Sequence, residues 1–188
     1  MPSRHPSILN PDTALLLLVD LQEPFLRRVD ERGRVVERCA FLAQSVEIVG
    51  LPVIATVQYR ERMGGVIDEI ARHTASAADP LDKMCFSCAG DAAFLEVLRA
   101  TGRRQILIGG IETHICVAQT ALDLLHHGYQ VHVAADAVSS RGIDRHKLGM
   151  EKMRDAGVIP CSAEQAIFEL LQVSGTAEFK KVLSLVKG

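Results

Sequence analysis

Residues 105–136, QILIGGIETHICVAQTALDLLHHGYQVHVAAD, contain one complete strand–helix–strand unit. QILIGG is a continuous apolar run of strand length, as a central parallel strand needs when helices cover both its faces. Residues 113–127 then carry apolar side chains at helical spacing, and Gly128 supplies the stop. YQVHVAAD, residues 129–136, is a second buried run and ends in an acid. Two parallel strands joined by a helix form a right-handed crossover, so the flanking text should extend the same sheet.

It does so in both directions. Upstream, LLLLVD (15–20) is another apolar run closed by an acid, and residues 34–49 follow at helical spacing. Gly50 and Pro52 end that helix and open the strand PVIATVQ, 52–58. Residues 59–82 are polar and rich in Gly, Ala and Asp, with one or two helical turns expected at 67–71. A stretch of that length with little pattern reads as a lid or binding loop. Residues 81–86 predict a short strand, and 91–100 a helix closed by Gly102. Downstream, 141–156 is helical and VIPCS (158–162) is a last short strand. Ser162 with Gln165 three residues on is a capping box for the next helix. Phe179, Val182, Leu183 and Val186 form an apolar stripe that should dock the tail helix. Strands alternate with helices throughout, which predicts a single doubly wound α/β domain over 13–188. Residues 1–12, polar and Pro-bounded, read as a loose N-terminal arm.

Composition narrows the function. The 188 residues carry 21 Lys and Arg against 23 Asp and Glu, a net charge of −2, with no long block of either sign. Nucleic acid or an anionic membrane would call for a basic stripe, so neither is expected as a partner. Aromatic residues are 4% with no Trp, which leaves little for base stacking. The apolar run at 14–19 is far short of the ~20 residues of a membrane span, and no cleavage pattern follows it. Five Cys, an odd and scattered set, do not make a disulfide framework. The chain therefore reads as cytoplasmic, with reduced thiols.

In a doubly wound sheet the ligand sits beyond the carboxyl ends of the strands, so chemistry is sought there. Cys39 and Cys161 fall on an apolar helix face and a strand, where free Cys packs as a small hydrophobe. Cys116 lies in the first turn of a helix after a buried strand and a Gly-Gly turn. Helix N-terminal amides would lower its thiol below the free value of ~8.5, and its own N–H is available to an oxyanion. The competing reading is a core Cys on the inner helix face. His114, two residues away, lies about 200° round the helix and does not reach the thiol. His126, His127 and His132 read as surface or structural. Asp20, closing an apolar strand, is the candidate base, although Asp at such a place also caps turns. Lys83 is the only Lys before Lys147 and would offset the charge of an Asp–thiolate pair. Cys85 and Cys88 form C-x-x-C, but no second ligand pair follows for zinc. A dithiol redox site remains an alternative. The phosphate-binding, dinucleotide and G-x-S-x-G motifs are absent.

Asp20, Lys83 and Cys116, within LLLVDLQ, KMCFS and GGIETHICVAQTALDLLHHGYQVHVAADAVSSR, resemble the triad of the isochorismatase-like cysteine hydrolase superfamily. The similarity extends from about Ala14 to the tail FKKVLSLVKG and is nearest to the isochorismatase domain-containing subgroup, with G-I-E at the turn. It implies a six-stranded parallel sheet with helices on both faces. It also implies a mechanism: Asp20 takes the Cys116 proton, the sulfur attacks a carbonyl carbon, and a thioester is then hydrolysed. Lys83 would keep Asp20 ionised. The backbone N–H groups of Glu112 and Cys116 would hold the oxyanion, and a cis peptide would join Ile111 to Glu112. Pocket walls are expected from Leu21, Gln22, Phe25, Gln58, Tyr59 and Ile115, neighbours of the triad in sequence. Relatives commonly assemble, so a homo-oligomer is implied.

The sequence also departs from parts of that superfamily. Its nicotinamidases hold a metal with Asp-x-His and a second His, whereas here Asp68, His73 and Asp79 lack the spacing. Isochorismatases proper cleave a vinyl ether without a covalent step. With Cys at the nucleophile position the expectation is a metal-independent hydrolase, without a cofactor, of a small amide, ureido or related carbonyl compound. The alternatives are a catalytically idle binding domain and a C-x-x-C oxidoreductase.

Overall fold

A computed structural model describes residues 4–74 and 79–187. Six strands form one all-parallel sheet in the order β3-β2-β1-β4-β5-β6. They are β1 (Ala14–Val19), β2 (Val53–Gln58), β3 (Leu81–Lys83), β4 (Gln105–Ile111), β5 (Gln130–Ser139) and β6 (Ile159–Cys161). Among the described residues nine α-helices accompany them: α1 (Glu23–Leu26), α2 (Arg32–Val49), α3 (Arg60–Met63), α4 (Asp68–Ala71), α5 (Ala92–Ala100), α6 (Ala118–His126), α7 (Ile143–Asp155), α8 (Ala163–Leu171) and α9 (Ala177–Lys187).

Every residue of β1 is buried, because consecutive side chains enter different layers. Leu16 and Leu18 pack with α2, α8 and α9, while Leu15, Leu17 and Val19 pack with α5, α6 and α7. Each such side chain taken out of water contributes roughly 1.5–3 kcal/mol, so these two aliphatic layers carry the fold. The chain runs outward from β1 in one direction through β2 and β3, then returns to start β4 on the other side. The β1–β4 boundary is therefore the point where strand order reverses, and loops splay apart there to leave a crevice.

Several expectations are sharpened. Asp91 caps α5 by accepting from the N–H groups of Ala93 (2.8 Å) and Phe94 (3.2 Å). Ser162 accepts from Gln165 N–H at 3.0 Å, but the Gln165 amide turns to Glu169, so only half of the capping box forms. The loop at 59–82 holds two one-turn helices, α3 and α4. β5 does not end at Asp136; it runs on to Ser139 past a register shift opposite Ile108 and Gly110. The Asp136 carboxylate accepts from Ala163 N–H at 2.7 Å and so serves the start of α8 rather than a site.

The N-terminal arm is not loose over its described residues. Leu9 is fully buried, its N–H donates to Glu169 Oε2 at 2.9 Å, and Asn10 N–H donates to Gln105 Oε1 at 2.7 Å. The polar character of the arm lies in backbone groups that these side chains satisfy, which composition alone does not reveal. The tail helix α9 docks through Val182 and an edge-to-face pair of Phe179 with Phe168, centroids 6.2 Å apart.

Candidate active site

Strand register brings the candidate residues together. Val19, the last residue of β1, pairs with Thr56 on one side and Gly110 on the other, and Gln58 pairs with Lys83. Asp20, Thr56, Gln58 and Lys83 therefore share one end of the sheet. Asp20 itself adopts a left-handed backbone, φ 52°, which Asp tolerates better than most side chains. Gly110 makes that close approach possible: at φ 123°, a Cβ there would lie 2.2 Å from Val19 O.

The Asp20 carboxylate is fully engaged. Thr56 Oγ1 donates to Oδ1 at 2.9 Å and Lys83 Nζ donates to Oδ2 at 2.7 Å, in a pair whose side chains are 3% and 1% exposed. Lys83 Nζ also donates to Gln58 Oε1 at 2.7 Å and to the carbonyls of Cys85 and Phe86 at 3.3 Å. Burial alone would lower the Lys83 pKa. The negative charge of Asp20, with lesser contributions from Cys88 and Cys116, outweighs it and holds the ammonium above its ordinary value.

Cys116 sits not in an α-helix but in a π-helical turn, Thr113–Val117, that precedes α6. Val117 N–H makes the π-type bond to Glu112 O at 3.2 Å, and the Cys116 N–H comes one residue ahead of it. The turn is gripped from both sides: Thr113 Oγ1 meets His146 Nδ1 at 3.0 Å and His114 Nδ1 meets Ser140 Oγ at 2.9 Å. Gly149 of α7 packs so close that a Cβ there would lie 2.9 Å from His114 Cα. The Ile111–Glu112 peptide is cis.

One sequence expectation is overturned here. The Cys116 thiol is pushed well above its ordinary range rather than lowered, first by burial and then by the facing Asp20 charge, with only partial relief from Lys83. Asp20 and this thiol face the same cavity. A helix N-terminus favours a thiolate, but desolvation and an adjacent carboxylate outweigh it. Burial and the facing Asp20 charge thus favour the neutral form of this thiol.

A cavity of about 80 Å³ opens onto this pair, lined by Asp20, Phe25, Gln58, Phe86, Ile111, Glu112, Ile115 and Cys116. Of the six expected wall residues, Phe25, Gln58 and Ile115 line it and Leu21, Gln22 and Tyr59 do not. Leu21 is in the core. Gln22 is fully buried and clamps the chain: its amide donates to Gln58 O (3.1 Å) and Gly64 O (2.8 Å) and accepts from Gln58 N–H (2.7 Å). Tyr59 takes a left-handed turn out of β2, with the Arg62 guanidinium 5.8 Å from its ring centroid. Nearness in sequence alone suggested these three, and long-range contacts redirect them. Glu112 Oε2 accepts from Arg141 N–H at 2.8 Å and pairs with Arg141 Nε at 3.3 Å, so its side chain braces the turn.

Sequence reasoning missed Thr56, Phe86 and Arg141, and placed Ile111 at the cis peptide without its part in the cavity wall. Only Thr56 left a signal, as the one hydroxyl inside the apolar run VIATV. Cys88, by contrast, is fully buried beside Thr56, its N–H donates to Thr120 Oγ1 at 2.9 Å, and burial pushes its thiol up to about 11. Cys85 precedes the 3-10 turn Cys88–Gly90 rather than starting a helix, so the C-x-x-C pair lacks the geometry of a helix-activated dithiol. Among the described residues no group of three His, Cys, Asp or Glu side chains is placed to hold a metal.

Residues 14–165 match the family model of the Isochorismatase domain. The chain belongs to the isochorismatase family. It is 35% identical over 182 residues to the secreted isochorismatase effector Isc1 of Phytophthora sojae, covering 95% of this chain and 87% of that protein. It is 32% identical to mouse isochorismatase domain-containing protein 2A, over 94% of this chain and 84% of that one. Among solved structures, the MAR1 ribonuclease of Caenorhabditis elegans superposes with a TM-score of 0.88 at 30% identity, covering 96% and 93% of the two chains. YcaC of Pseudomonas aeruginosa, solved with hexane-2,5-diol and covalent acrylamide, gives 0.89 at 23% identity over 97% and 93%, which speaks for the shared fold.

Proposed function

We propose that this isochorismatase-family chain is a metal-independent cysteine hydrolase of a small amide, ureido or related carbonyl compound. The observation that carries the reading is the buried Asp20 carboxylate, bound by Lys83 and lining one small cavity together with Cys116. In the acylation step Asp20 accepts the thiol proton as sulfur attacks the carbonyl carbon. The developing oxyanion is assigned to the N–H groups of Glu112 and Cys116. The C–N bond then breaks, and the nitrogen leaves with the proton from Asp20. Water attacks the thioester, Asp20 takes a proton from it, and collapse of the adduct releases the acid and returns the thiol. Lys83 holds the Asp20 carboxyl in place through both steps, as that group takes up and gives back the proton.

A panel of small primary amides, followed by ammonia release, tests the reading. Turnover should vanish in Cys116→Ala. Cys116→Ala protein that retains turnover of the best amide overturns it.

We also infer self-association and a cytoplasmic location. The exposed Met84 and Leu148 are large apolar side chains that a second copy could cover, and YcaC of Escherichia coli is described as an octameric hydrolase. Light scattering giving a monomer mass removes the first. The free thiols suit a reducing compartment, and no helix among the described residues is long and apolar enough to cross a membrane. Export of the tagged chain from its native cell removes the second.

A further inference from the structure

The cavity beside Cys116 is walled largely by the apolar side chains of Phe25, Phe86, Ile111 and Ile115. Its charged neighbours are all spoken for. Lys83, the cation beneath it, is 1% exposed and bound to Asp20 at 2.7 Å. Glu112, on the wall, is paired with Arg141 at 3.3 Å and with the Arg141 backbone N–H at 2.8 Å. No Lys or Arg lines the cavity among the described residues. A carboxylate entering it would shed water without gaining a counter-charge, and an ammonium would find both carboxylates already paired. Burying an unpaired ion is strongly unfavourable, whereas a neutral group loses little. The volume of about 80 Å³ leaves room only for a small group.

From this we infer that the site selects an uncharged, compact acyl group and rejects anionic and cationic ones, with the Glu112–Arg141 pair as a specificity determinant. The inference rests on the hydrolase reading and deepens it. It excludes di- and monocarboxylate substrates. The paired wall would instead accept a neutral primary amide or ureido compound with a short apolar or unsubstituted acyl part. Glu112 acts here by neutralising Arg141: without it the half-exposed guanidinium beside this wall residue becomes a free cation near the cavity, and discrimination against anions should relax.

Three small alkylating agents of graded charge test this directly: iodoacetamide (neutral), iodoacetate (anionic) and 2-bromoethylamine (cationic). Each rate at Cys116, read by peptide mass spectrometry, is divided by the rate of the same agent with glutathione at the same pH. The normalised rate for iodoacetamide should exceed both others by about tenfold or more, a factor equivalent to about 1.4 kcal/mol. In Glu112→Gln the normalised iodoacetate rate should rise toward that of iodoacetamide. Equal normalised rates in the wild type overturn the inference, and they do so even if Glu112→Gln does not fold. Failure of the underlying hydrolase reading is seen separately, as amide turnover that survives Cys116→Ala.

Discussion

Lys83 Nζ stands 2.7 Å from Asp20 Oδ2, and together they form a buried ion pair whose geometry is fixed by the pairing of β1 with β2 and β2 with β3. Removing one partner strands the other charge out of water. Lys83→Met should therefore cost about 3–5 kcal/mol of stability. The double change Asp20→Asn with Lys83→Met should recover much of that loss and still show no amide turnover. Urea denaturation of the two proteins side by side checks both statements.

Gly110 separates fold from chemistry at the same place. A Cβ would sit 2.2 Å from Val19 O and 2.6 Å from Val19 N, backbone atoms of a central strand that cannot yield. Gly110→Ala should cost about 4 kcal/mol or more, enough to leave little soluble protein. A thermal midpoint within a few degrees of the wild type would show that β1 and β4 are less tightly apposed than described.

Gly149 packs against the Thr113–Val117 turn that carries Cys116. Here the added methyl would press on His114 Cα at 2.9 Å, displacing the π-turn rather than the sheet. Gly149→Ala should slow iodoacetamide labelling of Cys116 by about tenfold or more, within the roughly hundredfold that a 1 Å misplacement of a reacting group can cost. Labelling of the partly exposed Cys85 should be unchanged. Parallel slowing at both thiols would point to general loss of structure instead.

His132 couples the fold to acid. Burial, only partly opposed by Glu169, holds its pKa down to about 4 from 6.5, and its Nδ1 has no partner among the described residues. The folded chain thus keeps this imidazole neutral while the unfolded chain protonates it. Its contribution is fully present above pH 6.5 and is lost as pH falls toward 4, by about 3 kcal/mol in all. His132→Gln should flatten the pH dependence of the urea midpoint over that interval. His114 and His146 are shifted in the same direction and leave a residual slope.

LLLLVD placed Asp20 at a strand end and the Gly-Gly turn placed Cys116 just beyond another, whereas the same acid-closed pattern in YQVHVAAD misplaced the end of β5. Lys83 stood out as the lone Lys of its half. What escaped depends on contacts between distant segments. Nothing in THICV distinguishes a π-turn from an α-helix, since the same residues suit both. The role of Gln22 as a clamp is set by Gln58 and Gly64, far away in sequence. The protonation of Cys116 could not be read from helix position, because burial and Asp20 outweigh the amides. The arm looked loose because its anchors, Gln105 and Glu169, lie in other elements.

The central claim is that Asp20 and Lys83 together govern the Cys116 proton. The most direct test is the rate of Cys116 alkylation by iodoacetamide against pH, in wild type and Asp20→Asn. Wild-type labelling should inflect above the ~8.5 of a free thiol. In Asp20→Asn it should inflect lower, because the carboxylate is gone and the Lys83 ammonium now faces the sulfur alone. Two superimposable profiles, both inflecting near 8.5, would contradict the account.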